Sequence, residues 1–140
     1  MGLNLQLEFT KRTVYSGDSA GILLKTVLQS GSETVAVFAA VDTGAANCLF
    51  ERVHGELLGL DIEAGERKGF STATGRIEAF GHLVLVETMG VQFESMVYFF
   101  ANPEIQKNLL GRTGWLDRVK LGVVDYDQTL YLAPYQMESQ

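Results

Sequence analysis

A chain of 140 residues with 46% hydrophobic content is long enough to form one domain with a real core. Its formal charge of −6 and pI near 4.8, with no Lys/Arg cluster, exclude the basic patch that phosphate binding demands, so no nucleic-acid partner is expected. A single cysteine, Cys48, excludes an intramolecular disulfide and a thiolate metal cluster within one chain, and reads as a small buried hydrophobe.

Taken in order, the chain is dominated by a period of two. "LNLQLEFT" puts Leu3, Leu5, Leu7 and Phe9 on one face and Asn4, Gln6, Glu8 and Thr10 on the other, the pattern of a half-buried strand. "GILLKTVLQ" and "TVAVFAAV" follow as two more strands, joined by the Gly-centred hairpin signal "SGSE". "FERVHGELLGL" has helical spacing, with Phe50, Val53, Leu57 and Leu58 sharing a face. Strands are then expected around "GERKGFSTA", "GRIEAFGHLVLVET" and "VQFESMVYFFA", with turns at Thr74-Gly75 and Met89-Gly90. "RTGWLDRVKLG" predicts a second short helix, with Trp115, Leu116, Val119 and Leu121 near one side, and "GVVDYDQTLYLA" a last strand.

The expected architecture is therefore all-β, a closed or sandwiched sheet with one or two short helices. One domain should span residues 1–134, with extra strands in residues 1–30 and a fraying polar tail over 135–140. The start "MGLNLQLEFTKR" has neither a basic lead nor a continuous apolar block, and no apolar run approaches the roughly 20 residues that span a bilayer. A cytoplasmic location without a membrane partner is the expectation.

One stretch breaks the pattern of apolar strands. "AAVDTGAANCLF" carries Asp42 at the end of an apolar run, followed by Thr43, Gly44 and Ala45. Gly44 allows close backbone approach and Thr43 offers a hydroxyl without bulk, so the loop can hold a carboxylate on backbone N–H groups. The same residues also fit an Asx-turn that merely closes a loop.

Other candidates lead nowhere. Asp18 in "SGDSAG" is preceded by polar residues and reads as a turn, and Asp125 in "GVVDYDQ" is followed by bulky Tyr126 and charged Asp127. His54 and His82 fall in a helix and a strand with no ligand spacing, no Gly-x-Ser-x-Gly elbow occurs, and "GRTGWL" lacks the Lys-Ser/Thr of a phosphate loop. No metal and no organic cofactor is expected.

Further along, "IQKNLLGRTGWLDRV" places Leu109 and Leu110 before Gly111 and Arg112. An apolar run ending in Asp-Thr-Gly-Ala, then "KGFSTATGRIEAFG", then Leu-Leu-Gly-Arg resembles the retropepsin-like aspartic proteases over Thr34 to about Leu132. The resemblance implies an acid-protease β-barrel with Asp42 as the catalytic residue and Thr43, Gly44, Ala45, Gly111 and Arg112 as its support. It also implies that the apolar segments ending at Asp42 and at Leu110 cross, with Gly111 allowing the close passage, and that Arg112 hydrogen-bonds near the Asp42 loop. Retroviral members place an acidic partner for that Arg where this chain has Ala46; Asn47 beside it is an alternative acceptor. The middle motif resembles the family's flap, with Ser71, Thr72, Ala73, Thr74 and Gly75 over the substrate.

The chemistry implied is hydrolysis of an extended peptide by water, which needs two carboxylates sharing a proton. One chain carries one Asp-Thr-Gly, so a homodimer is implied. A peptide-binding or dimerisation module on the same fold, or an unrelated barrel in which Asp42 closes a turn, are the alternative readings.

Overall fold

The computed structural model describes residues 2–136. Its strands are β1 (Lys11–Val14), β2 (Leu23–Ser30), β3 (Glu33–Val41), β4 (Leu49–Phe50), β5 (Glu66–Thr72), β6 (Gly75–Thr88), β7 (Val91–Phe100), β8 (Leu109–Leu110), β9 (Val119–Val124) and β10 (Thr129–Pro134). The helix α1 (Arg52–Leu57) follows β4, and single 3-10 turns stand at Ile62–Ala64, Leu116–Arg118 and Asp125–Asp127.

Alternation becomes structure wherever a neighbouring strand is available. β2 and β3 pair antiparallel from Leu23↔Ala40 to Ser30↔Glu33, and the period of two buries Leu24, Thr26 and Leu28 with Val37 and Ala39. Met89 and Gly90, both left-handed at φ 52° and 81°, form the two-residue turn between β6 and β7. The larger sheet runs β2-β3-β8-β4-β7-β6-β5, and a further β2–β6 pairing closes all of these but β5 into a barrel. A second sheet, β1-β10-β9, packs on it, and Leu28, Phe50, Phe99, Leu110, Trp115, Leu130 and Leu132 join both in one core. Each of these large side chains contributes about 1.5–3 kcal/mol by leaving water. Trp115 is wholly buried and satisfies its indole by donating to Thr88 Oγ1 at 3.0 Å.

Three expectations are corrected. Residues 2–9 form no strand, and Leu3, Leu5 and Leu7 are exposed, because no sheet edge faces them and a strand without a ladder partner has nothing to satisfy its backbone. Only Phe9 packs, on the ring of Tyr131 at 5.8 Å; the extra N-terminal pairing begins at Lys11, opposite Leu132. The second helix is a single 3-10 turn, and Val119 and Leu121 lie instead in β9, paired with Pro134 and Leu132. The α1 region buries only part of the expected face: Leu58 is buried, as is Phe50, which belongs to β4, but Val53 and Leu57 are exposed and the helix approaches Ile62 and Phe99 through Gly55. The expected tail falls largely beyond the described residues, although the Tyr135 N–H still donates to Arg118 O at 3.0 Å. Among the described residues no helix is long and apolar enough to cross a membrane.

Candidate active site

Asp42 stands where three backbone segments meet. The N–H groups of Ala40 and Asp42 donate to Asn108 and Leu110 carbonyls at 2.8 and 3.0 Å, and that of Val41 to Ile22 at 2.9 Å. The bonds to Asn108 and Leu110 make β3 and β8 parallel neighbours at Ala40↔Leu109 and Val41↔Leu110. Residues 35, 37, 39 and 41 share the inward side of β3, so Asp42 ends the strand on the other side, half-buried. Its Oδ1 accepts the Gly44 N–H at 2.9 Å, and its own carbonyl accepts from Ala45 at 3.2 Å. The loop thus fixes the carboxylate by a backbone donor and leaves the other oxygen outside that contact.

The chain beyond Ala45 passes directly against the end of β8. Ala45 and Ala46 carbonyls accept the N–H groups of Arg112 and Thr113 at 2.8 and 2.9 Å. At the contact itself there is room for no side chain: a Cβ on Gly111 would lie 2.1 Å from the Asn47 carbonyl oxygen. The apolar strands β3 and β8 and the two loops that follow them are therefore locked to each other by main-chain bonds.

Cys48 seals this crossing from within. It is wholly buried, its sulfur accepts the Gly111 N–H at 3.4 Å, and burial pushes the thiol up to about 12, against the opposing effect of that hydrogen bond. At pH 8 only about one molecule in 10⁴ would carry the thiolate, so alkylation of folded protein is expected to be at least ~100-fold slower than of protein in denaturant. Timed iodoacetamide labelling read by mass checks this.

β5 and β6 form a hairpin from Glu66↔Gly81 to Thr72↔Gly75, turning at Ala73 and Thr74. Beyond Ala79 its β6 arm pairs only with β5, so the tip projects from the barrel. Ser71, Thr72, Ala73, Thr74 and Gly75 are exposed; Thr72 Oγ1 donates to Gly75 O at 2.7 Å, and Gly75 takes φ 131°. Phe70 and Ile77 lie under the arms with Leu49, Met96 and Ile105 against Ala79, Tyr98 and Phe100, an apolar cluster separate from the main core.

The hairpin is tied to the Asp42 loop by one side-chain bond, from Lys68 Nζ to Asn47 Oδ1 at 3.1 Å. Asn47 thus serves β5 and leaves Arg112, whose backbone holds Ala45 but whose exposed guanidinium finds no acceptor among the described residues. Thr43 is also exposed and lines an open depression with Ala46, Arg112, Thr113, Leu116 and Asp117. Asp125 accepts from Tyr15 OH, and His82 Nε2 bonds the Ile62 carbonyl at 2.9 Å, both apart from this loop's contacts. The Lys68–Asn47 bridge and the Leu49–Phe70–Tyr98 cluster had no signal in the sequence, since their members lie on separate strands.

A barrel closed around parallel β3 and β8, with Asp-Thr-Gly at one crossing loop and Leu-Leu-Gly-Arg at the other, is the fold of the retropepsin-like aspartic proteases. Two solved structures are similar. A retropepsin-like aspartic protease from Rickettsia conorii matches 88% of this chain and 97% of its own at 20% identity, with a TM-score of 0.61. The EIAV protease, complexed with the inhibitor HBY-793, matches 71% of this chain and 88% of its own at 18% identity, with a TM-score of 0.54. No family model and no curated protein sequence matches the chain.

Proposed function

We propose that the protein is an aspartic endopeptidase acting as a homodimer, with Asp42 of each copy forming the catalytic pair. The observation that carries this reading is the half-buried Asp42 carboxylate, held by the Gly44 N–H on a loop interlocked with Gly111, in a retropepsin-like fold. Two carboxylates in close approach cannot both ionise, so they share one proton. The ionised Asp42 takes a proton from water as the water oxygen bonds to the scissile carbonyl carbon. The protonated one gives its proton to the carbonyl oxygen; collapse then breaks the C–N bond as the first Asp42 passes its proton to the amine nitrogen and the second recovers one from a hydroxyl of the tetrahedral carbon. Carboxylates activate the water, so the reaction requires no metal or organic cofactor.

A second copy of the chain supplies the second Asp42. The exposed Thr43 supports this reading, because its hydroxyl has no acceptor among the described residues and would meet its symmetry mate. Residues Ser71 to Gly75 cover an extended substrate, whose apolar side chains beside the cut meet Leu49, Phe70 and Ile77.

Dilution tests the shared site. Specific activity on an unfolded protein is expected to fall on dilution in step with solution mass, from about twice 15.4 kDa to 15.4 kDa. Undiminished cleavage by a single chain would overturn the dimer, and an intact substrate at every concentration would overturn the endopeptidase.

A further inference from the structure

On one face of the projecting hairpin, the one from which Lys68 reaches Asn47, stand Glu66, Lys68 and Phe70; Arg67 and Glu78 face the other way and pair with each other. Lys68 is an exposed residue whose ammonium lies 5.6 Å from the Phe70 ring centre and 5.5 Å from that of Tyr98 and donates to Asn47 Oδ1. Its only polar partner among the described residues is this neutral amide. Glu66, the carboxylate nearest along the same face, accepts from Tyr98 OH at 3.2 Å and makes no ion pair with Lys68. A cation is thereby held in place by two aromatic rings and an amide, with no ion-pair partner among the described residues. It spans from the hairpin arm to the loop that follows Asp42, the flank of the space an extended peptide would cross.

We propose that Lys68, positioned by Asn47, Phe70 and Tyr98, is a specificity-determining residue that selects peptides carrying an acidic side chain a few residues from the scissile bond. The inference rests on the endopeptidase reading for where the peptide lies. An ammonium with free donors takes a carboxylate without breaking the Asn47 contact. The apolar stem and rings around it suit the methylenes of glutamate. The site would therefore ask for an acid at one position and apolar residues nearer the cut.

The test separates binding from turnover. Labelled decapeptides of apolar residues, each carrying one Glu or the matching Gln at successive positions, are titrated by fluorescence anisotropy against the Asp42→Asn protein. The same pairs are offered to wild type for cleavage. At one position the Glu peptide is expected to bind about fivefold tighter, the size of a favourable exposed charge pair. The ratio should return to about one in the added Lys68→Met background, and Lys68→Glu should favour Lys over Glu peptides. Thermal unfolding of the variants controls for folding.

Equal binding of all Glu and Gln pairs, no binding of any peptide, or a preference that survives Lys68→Met would overturn the proposal. Selective binding without cleavage by wild type would remove the endopeptidase and leave the acidic subsite standing. Cleavage and binding without discrimination would remove the subsite alone.

Discussion

Asp42→Asn is expected to abolish peptide-bond cleavage, lowering kcat by at least about 10³-fold, while the protein stays folded. A positioned acid-base group commonly contributes 10²–10⁴-fold, and in a symmetric dimer one substitution removes both carboxylates. The effect on stability should be small for a geometric reason. Among the described residues the only side-chain bond made by Asp42 is from the Gly44 N–H to one oxygen, and an asparagine carbonyl oxygen accepts that bond equally well. Initial rates on an unfolded protein substrate, with thermal unfolding of both proteins, check the two halves of the expectation. Equal rates would remove Asp42 from the chemistry, and a large fall in melting temperature would make it a structural residue of the loop.

Gly111→Ala should do the opposite, damaging the fold before any chemistry is at issue. The added Cβ would lie 2.1 Å from Asn47 O, 2.6 Å from Asn47 C and 2.8 Å from Ala45 O. All three are main-chain atoms, so no rotamer change relieves the contact. Separating the segments would break the bonds from Arg112 to Ala45 and from Thr113 to Ala46, and would open the buried pocket around Cys48. A clash of this kind in a packed interior costs about 3 kcal/mol or more, a large part of the 5–15 kcal/mol that stabilises a typical domain. A melting temperature lower by roughly 10 °C or more, or insoluble protein, is expected. Gly44→Ala provides the contrast: its Cβ would meet only Asp42 Oδ1, at 3.3 Å, so stability should change little. Similar melting curves for Gly111→Ala and wild type would mean that the crossing is looser than its hydrogen bonds indicate.

Much of the barrel was legible because the signal is local. "GILLKTVLQ", "TVAVFAAV", "GRIEAFGHLVLVET" and "VQFESMVYFFA" carry β-branched and aromatic residues at alternating positions between turn residues, and each is a strand in the structure. The same alternation in "LNLQLEFT" failed. Periodicity reports which side chains could share a face, but a strand also needs an edge to bond to, and residues 2–9 meet none. "RTGWLDRVKLG" failed for a related reason. Its apolar spacing fits a helix, yet Trp115 is drawn inward to Thr88 and the residues after Arg118 complete the β9–β10 hairpin, which offers more backbone bonds than another helical turn.

By itself, then, the sequence determined the all-β class, most strand positions, and an Asp-Thr-Gly loop that ends an apolar strand, because these depend on neighbours a few residues apart. Tertiary structure alone decided which segments lie side by side. It placed Leu109 and Leu110 beside Ala40 and Val41, left the Arg112 guanidinium without its expected acceptor among the described residues, and put Lys68 on Asn47 beside two aromatic rings. Such pairings depend on how the closed barrel brings distant edges together, and no spacing along the chain encodes a contact between residues of different strands.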